Sequence, residues 1–388
     1  MKSNNPISHF PTPYPHNNNP RVVIVHDWLT NMGGAENVVL AMHEAFPDAP
    51  IYTSIYTPET MPAFKNLDIR TTYLQNLPKP LRKLHKFFPM LRVKAFRKLD
   101  LSEFDIILSS CSAESKQVQK TRPGQVHICY CNTPIRYYWS HYDEYRNDPG
   151  FGKLNWLVRL AMPLMVPPLK KADYDAAQKV DVFIGNSTEV QKRIKKYYNR
   201  NSTVIHPSVD VDRFEPSGKR GDYYVALGRQ VPYKRIDLAV AAATKLTVPL
   251  KVFGNGSEHQ RLVEMAGPSV QFFTDRFGDA SDDAVTEALN SAKGYIFPAE
   301  EDFGIVQVEA LAAGAPVIAF GKGGALDIVQ DGESGVLFNE QSVDSVVDAI
   351  KRAQTINFLP TTLHRKAKRF DKGLFVTKIR KIVSDNAK

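Results

Sequence analysis

The sequence predicts an α/β protein made of two doubly wound, Rossmann-like parallel-sheet domains that face each other across a cleft. Three observations predict it. The chain has 388 residues, more than one hydrophobic core ordinarily supports. Short runs rich in Val, Ile and Phe alternate with longer segments of helical period, the pattern of parallel sheets covered on both faces. A stretch rich in Pro, Gly and alternating charge, HPSVDVDRFEPSGKRGD, divides these runs into two series.

The first series of strands is expected at 21–26, 104–109, 126–131, 182–186 and 203–206, and the second at 223–227, 250–253, 270–273, 294–297 and 316–320. This gives a Pro- and Asn-rich disordered tail over 1–20, a first domain over 21–206, and a linker over 207–222. A second, donor-binding domain follows over 223–370, with a helix over 371–388 that packs back toward the first domain. Open parallel sheets bind ligands beyond the carboxyl ends of their strands. The loops after His26, Cys131, Asn186, Leu227, Phe253, Phe273 and Phe297 are therefore where a site is expected.

Composition narrows the partners. With 43% hydrophobic and 23% charged residues the chain has a soluble, globular balance, and no uncharged apolar run reaches membrane-spanning length. The most apolar segment, 154–169, is interrupted by Arg159, Pro163, Pro167 and Pro168 and is expected to be buried or to line the cleft. Cys111, Cys129 and Cys131 form neither a disulfide framework nor a zinc pattern, and Cys129 and Cys131 are expected in the core. With no secretory signal in the tail, a cytoplasmic location is expected. The net charge is +9, and 79–98 carries eight Lys or Arg and no acid among Leu, Phe, Met and Val. That segment suits an anionic membrane surface at the inner face, or is simply a solvated basic helix. No recognisable nucleic-acid module accompanies the charge.

The strongest chemical signal is PAEEDFGIVQVE at 298–309, which follows a strand and opens a helix that ends near Gly314. The free amides around Gly304, Ile305 and Val306 form a partly positive cradle for a phosphate or sugar oxygens. Glu301 stands before that helix, and Glu309 lies about one turn inside it, where a carboxylate accepts the hydroxyls of a ribose. Either acid alone is an ordinary complement to a helix dipole. The second signal is GRQVPYK after the strand at 223–227, where Arg229 and Lys234 are placed to clamp a diphosphate and neutralise its departing charge. The third is HDWLTNMGGAE at 26–36, in which Gly33 and Gly34 allow a tight turn into a helix. The glycines of FGNGSE and GKGG are expected first as strand-to-helix turns.

The glutamate pair with FG between them, the Arg229-to-Lys234 loop and the GGAE turn together resemble retaining glycosyltransferases of family four, which have the GT-B architecture. The resemblance covers nearly the whole chain after the tail. Its most specific part, EDFGIVQVE, is similar to the Glu-x7-Glu signature of that family. It implies that Glu301 contacts the transferred sugar, with Phe303, Gly304 and Ile305 offering backbone amides, and that Glu309 holds the ribose. Arg229 and Lys234 would neutralise the diphosphate, Gly34 with Gly33 would approach it from the first domain, and Arg276 and Phe277 would border the base. No metal or cofactor is implied. The segment CYCNTPIRYYW is similar to members that transfer mannose from GDP-mannose in bacterial surface polysaccharide assembly, with Asn132 and Arg136 on the acceptor or sugar side. Many relatives carry His where this chain has Asn132, and an amide does not titrate near neutral pH. The implied reaction retains anomeric configuration and takes a saccharide or lipid-linked saccharide as acceptor. Two other readings stand beside it: a non-catalytic nucleotide-sugar-binding or scaffold protein on the same fold, and a nucleotide-dependent oxidoreductase. The latter is disfavoured because neither half has GxGxxG followed by an acid about 20 residues on.

Overall fold

A computed structural model describes residues 20–140, 142–147, 152, 155–216, 220–274 and 282–387. The expected tail therefore lies outside the described residues except for Pro20. The first sheet contains β1 (Val22–His26), β2 (Ile51–Thr53), β3 (Ile69–Thr71), β4 (Ile106–Cys111), β5 (Val126–Cys131), β6 (Val182–Gly185) and β7 (Thr203–Val204). The second contains β8 (Tyr224–Leu227), β9 (Leu250–Phe253), β10 (Val270–Phe273), β11 (Gly294–Phe297), β12 (Val317–Phe320) and β13 (Gly335–Phe338). Their orders are β3-β2-β1-β4-β5-β6-β7 and β10-β9-β8-β11-β12-β13, with every described pair parallel. Each order turns back on itself, between β1 and β4 and between β8 and β11, and such reversals open the crevice used by ligands. Sequence patterning missed β2, β3 and β13.

Alternate strand residues serve opposite layers. In β1, Val22 and Ile24 join one core cluster while Val23 and Val25 join another. In β11, Tyr295 and Phe297 face one layer and Ile296 the other. Cys111, Cys129 and Cys131 are buried together against Phe183 and Tyr198.

The segment after β7 is packed rather than loose. Val209 forms a bridge with Asp371, and Val211 and Phe214 belong to the core of the second domain. The last helix, Lys372–Asn386, returns to the first domain, burying Phe375, Val376, Ile379 and Val383 beside the Gly34–Ala45 helix. Arg380 donates to the carbonyls of Ala45 and Glu44 at 3.0 and 3.1 Å, and Lys372 pairs with Glu44 at 3.0 Å. The last helix therefore ties the second domain to the helix that follows the GGAE turn.

The expectation that 154–169 is buried or cleft-lining does not hold. Asn155–Lys179 is one helix despite Pro163, Pro167 and Pro168. Over 155–169 its Met162, Val166 and Leu169 are packed into a core cluster, while Leu160 and Leu164 are 66% and 80% exposed. The segment 79–98 forms helices at Lys79–Lys83 and Pro89–Arg97 joined by a 3-10 turn at His85–Phe87. Its Arg92 is turned inward, paired with Glu114 at 2.7 Å, so it belongs to the interior and not to the basic surface.

Because Phe375 fills the contact between the last helix and the first domain, with its ring edge-on to Tyr130 at 5.7 Å, Phe375→Ala should lower stability by about 3 kcal/mol. Urea unfolding measures this directly, and an unshifted midpoint would mean that the helix is not docked.

Candidate active site between the two sheets

Three of the expected loops leave the strands that flank the two reversals. In the second domain, β11 delivers the chain to Glu301, and Gly304 then turns at φ +88 into the helix Ile305–Ala312. A side chain at 304 would be strained at that φ, and an added Cβ would run into Gln307 Nε2. The first amides of this helix have no intrahelical partner and give it a positive end. Gly323 and Gly324 press against the backbone of Glu301 and Phe303, and the Gly324 amide donates to the Glu301 carbonyl at 2.8 Å. The GKGG turn thus holds the loop rather than offering it to a ligand.

The loop after β8 brings Lys234 into a direct ion pair with Glu301. Arg229 donates to the Tyr233 hydroxyl at 3.0 Å, and the guanidinium of Arg136, from the first domain, lies 6.0 Å from the Tyr233 ring centre. Burial, followed by the charges of Arg229 and Arg136, pushes the Lys234 amine down to about 8, with Asp302 acting in the opposite sense. Gln230 is buried and anchors the loop. Its side chain donates to the Gly254 carbonyl at 2.6 Å and meets His259 Nδ1 at 2.7 Å, and its amide donates to the Asn255 carbonyl. The FGNGSE turn is therefore the support of the cation loop.

From the first domain, the GGAE turn approaches the start of the Ile305–Ala312 helix. A Cβ on Gly34 would sit 2.9 Å from Ile305 Cδ1, so the turn lies against the start of that helix. Glu36 lies 3.5 Å from His26 at the end of β1, and His26 Nδ1 lies 3.1 Å from the Ser110 carbonyl. Burial opposes the imidazolium, but the hydrogen bond and charge of Glu36, with Asp27 behind, raise His26 above its ordinary value. Lys86, from the basic segment, faces Arg229 and Glu36, and burial and the cations together lower its amine.

The domains also meet through Asp302, which the sequence analysis passed over. Its carboxylate forms direct ion pairs with Arg136 and with Arg193, both from the first domain. Arg193 also reaches Glu189 at 3.0 Å and Glu300 at 3.9 Å. Nearby, Asp327 accepts from the amide and hydroxyl of Thr188 at 2.7 and 2.6 Å, at the positive end of the Thr188–Tyr198 helix. The only sequence signal for Asp302 was its place inside EEDFG. Arg193 and Asp327 sat on ordinary polar helix faces.

Of the expected site residues, the structure brings Glu301 to Lys234, places Arg229 and Arg136 beside Tyr233, and sets Gly34 against Ile305. Glu309 pairs with Arg213 at 3.2 Å, a residue of the segment joining the domains. Phe303 is buried, stacked on His206 at 5.3 Å with Phe370 edge-on at 5.6 Å, so only its backbone is available to a ligand. Asn132 follows β5 and donates to Ser110 Oγ at 3.0 Å, while its carbonyl accepts from Asn186 at 2.8 Å. That amide is engaged in holding strand ends together. Gly33 caps the Gly34–Ala45 helix with extended backbone. Arg276 and Phe277 lie outside the described residues. Among the described residues no group of three or more His, Cys, Asp or Glu is placed to hold a metal ion.

Two expectations follow. Asp302→Ala leaves two guanidiniums facing each other across the domain contact, so turnover should fall about tenfold or more with a smaller change in donor KM. Equal turnover in wild type and variant would show that these pairs do not serve the working state. For Lys234 the sign is that of a depressed amine: below pH 8 it is cationic, and as pH rises through about 8 the charge is lost. The profile of kcat/KM should therefore bend downward near pH 8, and Lys234→Arg, which stays protonated, should move that limb upward. A profile flat to pH 10 in the wild type would contradict the assignment.

Comparison with known proteins agrees with this geometry. Residues 32–213 match the family model described as Glycosyltransferase Family 4, and residues 210–370 match Glycosyl transferases group 1. An uncharacterised glycosyltransferase of Methanocaldococcus jannaschii is 26% identical over 195 residues, 50% of this chain and 55% of the relative. The D-inositol 3-phosphate glycosyltransferase of Mycobacterium avium is 27% identical over 209 residues, 47% of this chain and 49% of the relative. The chain thus spans about half the length of these curated relatives. Among solved structures, Anabaena HepE in complex with UDP-glucose aligns with a TM-score of 0.67 at 17% identity, covering 94% of this chain and 99% of that one. Sucrose-phosphate synthase from Thermosynechococcus elongatus aligns with a TM-score of 0.69 at 16% identity, covering 94% and 98%. With the two matched segments together spanning 32–370, both halves of the chain are similar to family 4-type and group 1 glycosyltransferases, and its two parallel sheets have the GT-B fold of the aligned structures.

Proposed function

We propose that the protein is a retaining glycosyltransferase that moves a hexose from a nucleoside-diphosphate sugar to a saccharide or lipid-linked saccharide in surface polysaccharide assembly. The observation that carries this reading is the ion pair of Lys234 with Glu301, beside Arg229, at the mouth of the Ile305–Ala312 helix. A cation for the departing diphosphate and an acid for the sugar meet there within reach of unpaired helix amides.

In this reading the bond between the anomeric carbon and the diphosphate oxygen breaks while the acceptor oxygen bonds the same face of that carbon. The acceptor's proton passes to the leaving diphosphate. Arg229 and Lys234 stabilise the charge that develops on the diphosphate, Glu301 orients the sugar, and the backbone at Phe303, Gly304 and Ile305 binds its hydroxyls. Glu309 holds the ribose with the carboxylate that Arg213 steadies. Arg136 and Asn132 border the acceptor side. The basic segment 79–98 turns this side toward an anionic membrane surface.

GDP-mannose is the donor we favour, on the likeness of the 129–139 segment to mannose-transferring members. The related HepE structure contains UDP-glucose, which makes the uridine sugar the direct competitor. A thermal-shift screen of GDP-, UDP- and ADP-sugars decides between them, because a ligand that binds only the folded form raises its melting temperature. GDP-mannose should give the largest shift. The absence of any shift would end both the transferase and the sugar-nucleotide-binding readings.

In steady-state assays with the donor so identified, Glu309→Ala should raise donor KM about tenfold with little change in kcat. Arg229→Ala should instead lower kcat by about 100-fold, because it removes charge stabilisation needed in the transition state. Unchanged constants in both variants would overturn the site.

A further inference from the structure

Among the described residues, the exposed large apolar side chains fall most densely on one lobe of the first domain. On the Asn155–Lys179 helix, Leu157, Leu160 and Leu164 follow helical spacing along one face, with Trp156 beside them at 62% exposed. The opposite face is packed: Val166 and Leu169 share a core cluster with Val93 of the Pro89–Arg97 helix. This contact makes the exposed row a neighbour of the basic segment, which has exposed apolar residues of its own at Leu84, Phe88 and Leu91. Around these residues cations predominate, although Asp175 pairs with Lys171 at 2.6 Å on the same helix. Lys79, Lys83, Lys94 and Lys98 are exposed, and between 155 and 172 the charged residues are Arg159, Lys170 and Lys171.

We propose that this lobe is a membrane-docking wedge in which the Trp156 to Leu164 row inserts into the headgroup and acyl boundary of an anionic bilayer while the lysines of 79–98 meet lipid phosphates. An apolar row flanked by cations is the surface that partitions into such an interface. No described helix is long and apolar enough to cross a membrane, so the association is peripheral. A second copy of the chain is the poorer occupant, because twofold pairing would set one acid-free basic rim against another.

The wedge also borders the cleft. Trp28, in the loop after β1, packs edge-on to His85 at 5.1 Å and carries the Lys86 amine 5.7 Å from its ring centre. A lipid-borne acceptor would therefore reach the reacting centre without leaving the bilayer surface. This last step rests on the glycosyltransferase reading, whereas the docking itself does not.

The test uses the full chain and vesicles of phosphatidylglycerol with phosphatidylethanolamine, against phosphatidylcholine alone. Wild type should sediment with the anionic vesicles and not with the neutral ones. The double variant Leu160→Glu with Leu164→Glu should bind the anionic vesicles about tenfold more weakly or worse, with circular dichroism and the donor-induced thermal shift unchanged. Brominated acyl chains should quench the wild type, and that quenching should be lost in Trp156→Phe, leaving Trp28 and Trp139 unaffected. Unaltered vesicle binding by the double variant would overturn insertion, as would quenching that survives in Trp156→Phe. A double variant that loses dimerisation but keeps vesicle binding would assign the face to a second copy. The thermal shift with sugar nucleotides is read separately, so a failed docking test and a failed donor assignment are distinguishable.

Discussion

Glu301 meets Lys234 of its own domain, whereas the next residue, Asp302, accepts from Arg136 and Arg193 of the opposite one. The loop that carries both acids has little freedom. It leaves β11, whose four residues are all buried, and is pressed from behind by Gly323 and Gly324. Moving the first domain away from the second must therefore break the Asp302 pairs or drag the Glu301 loop off its shelf. Such a loop couples the position of the domains to the position of Glu301, and a mostly buried carboxylate with two arginines makes that coupling strongly dependent on both partners.

The same neighbourhood is rich in cations: Lys234 has Glu301 and Arg136 has Asp302, while Arg229 meets the Tyr233 hydroxyl. Lys86 and Arg136 enter from one domain and Arg229 and Lys234 from the other, and mutual repulsion with burial is why the amines of Lys86 and Lys234 are both lowered. For Lys234 the folded value lies below the unfolded one, so folding works against this charge below pH 8, and the opposition fades as pH rises toward the ordinary lysine range. In the proposed reaction a leaving diphosphate carries more negative charge toward these cations than a bound substrate does, which is the condition for lowering a barrier rather than merely tightening binding.

Much of the fold was legible because its sheets are parallel and covered on both faces, so that Val22–Val25, Ile128–Cys131 and Gly294–Phe297 are unbroken apolar runs. β2 and β3 were not legible. Ile51–Thr53 and Ile69–Thr71 have three residues each, and so short a run is defined by its neighbours rather than by its own pattern. Gly335–Phe338 was hidden for a related reason: it follows a turn rich in Asp, Glu and Gly with no helix of ordinary length before it. In the site, Glu301, Arg229 and Lys234 were legible because their loops follow strand ends and carry a glycine, whereas Asp302 in the same stretch as Glu301 was not. Arg193 and Arg213 were not, since nothing in a helix or a linker reveals that its arginine will meet a carboxylate from another part of the chain. Arg92 shows the reverse error, as a basic run gives no sign of which member turns inward to Glu114.

The spacing of Glu301 and Glu309 has a physical content beyond its use as a signature. Between them stand one residue at positive φ, Gly304, and about one turn of helix, so the two carboxylates fall on opposite sides of the free amides at the helix start. Their partners differ accordingly: Lys234 lies on the loop after β8, and Arg213 on the segment joining the domains. In the proposed reading, a ligand meeting both acids turns sugar hydroxyls toward Glu301 and the amides and ribose hydroxyls toward Glu309, with its anionic middle toward Arg229 and Lys234. A sugar joined to a ribose through a diphosphate has that order of groups, whereas a dinucleotide cofactor would place a planar ring where Glu301 and Lys234 offer only charge.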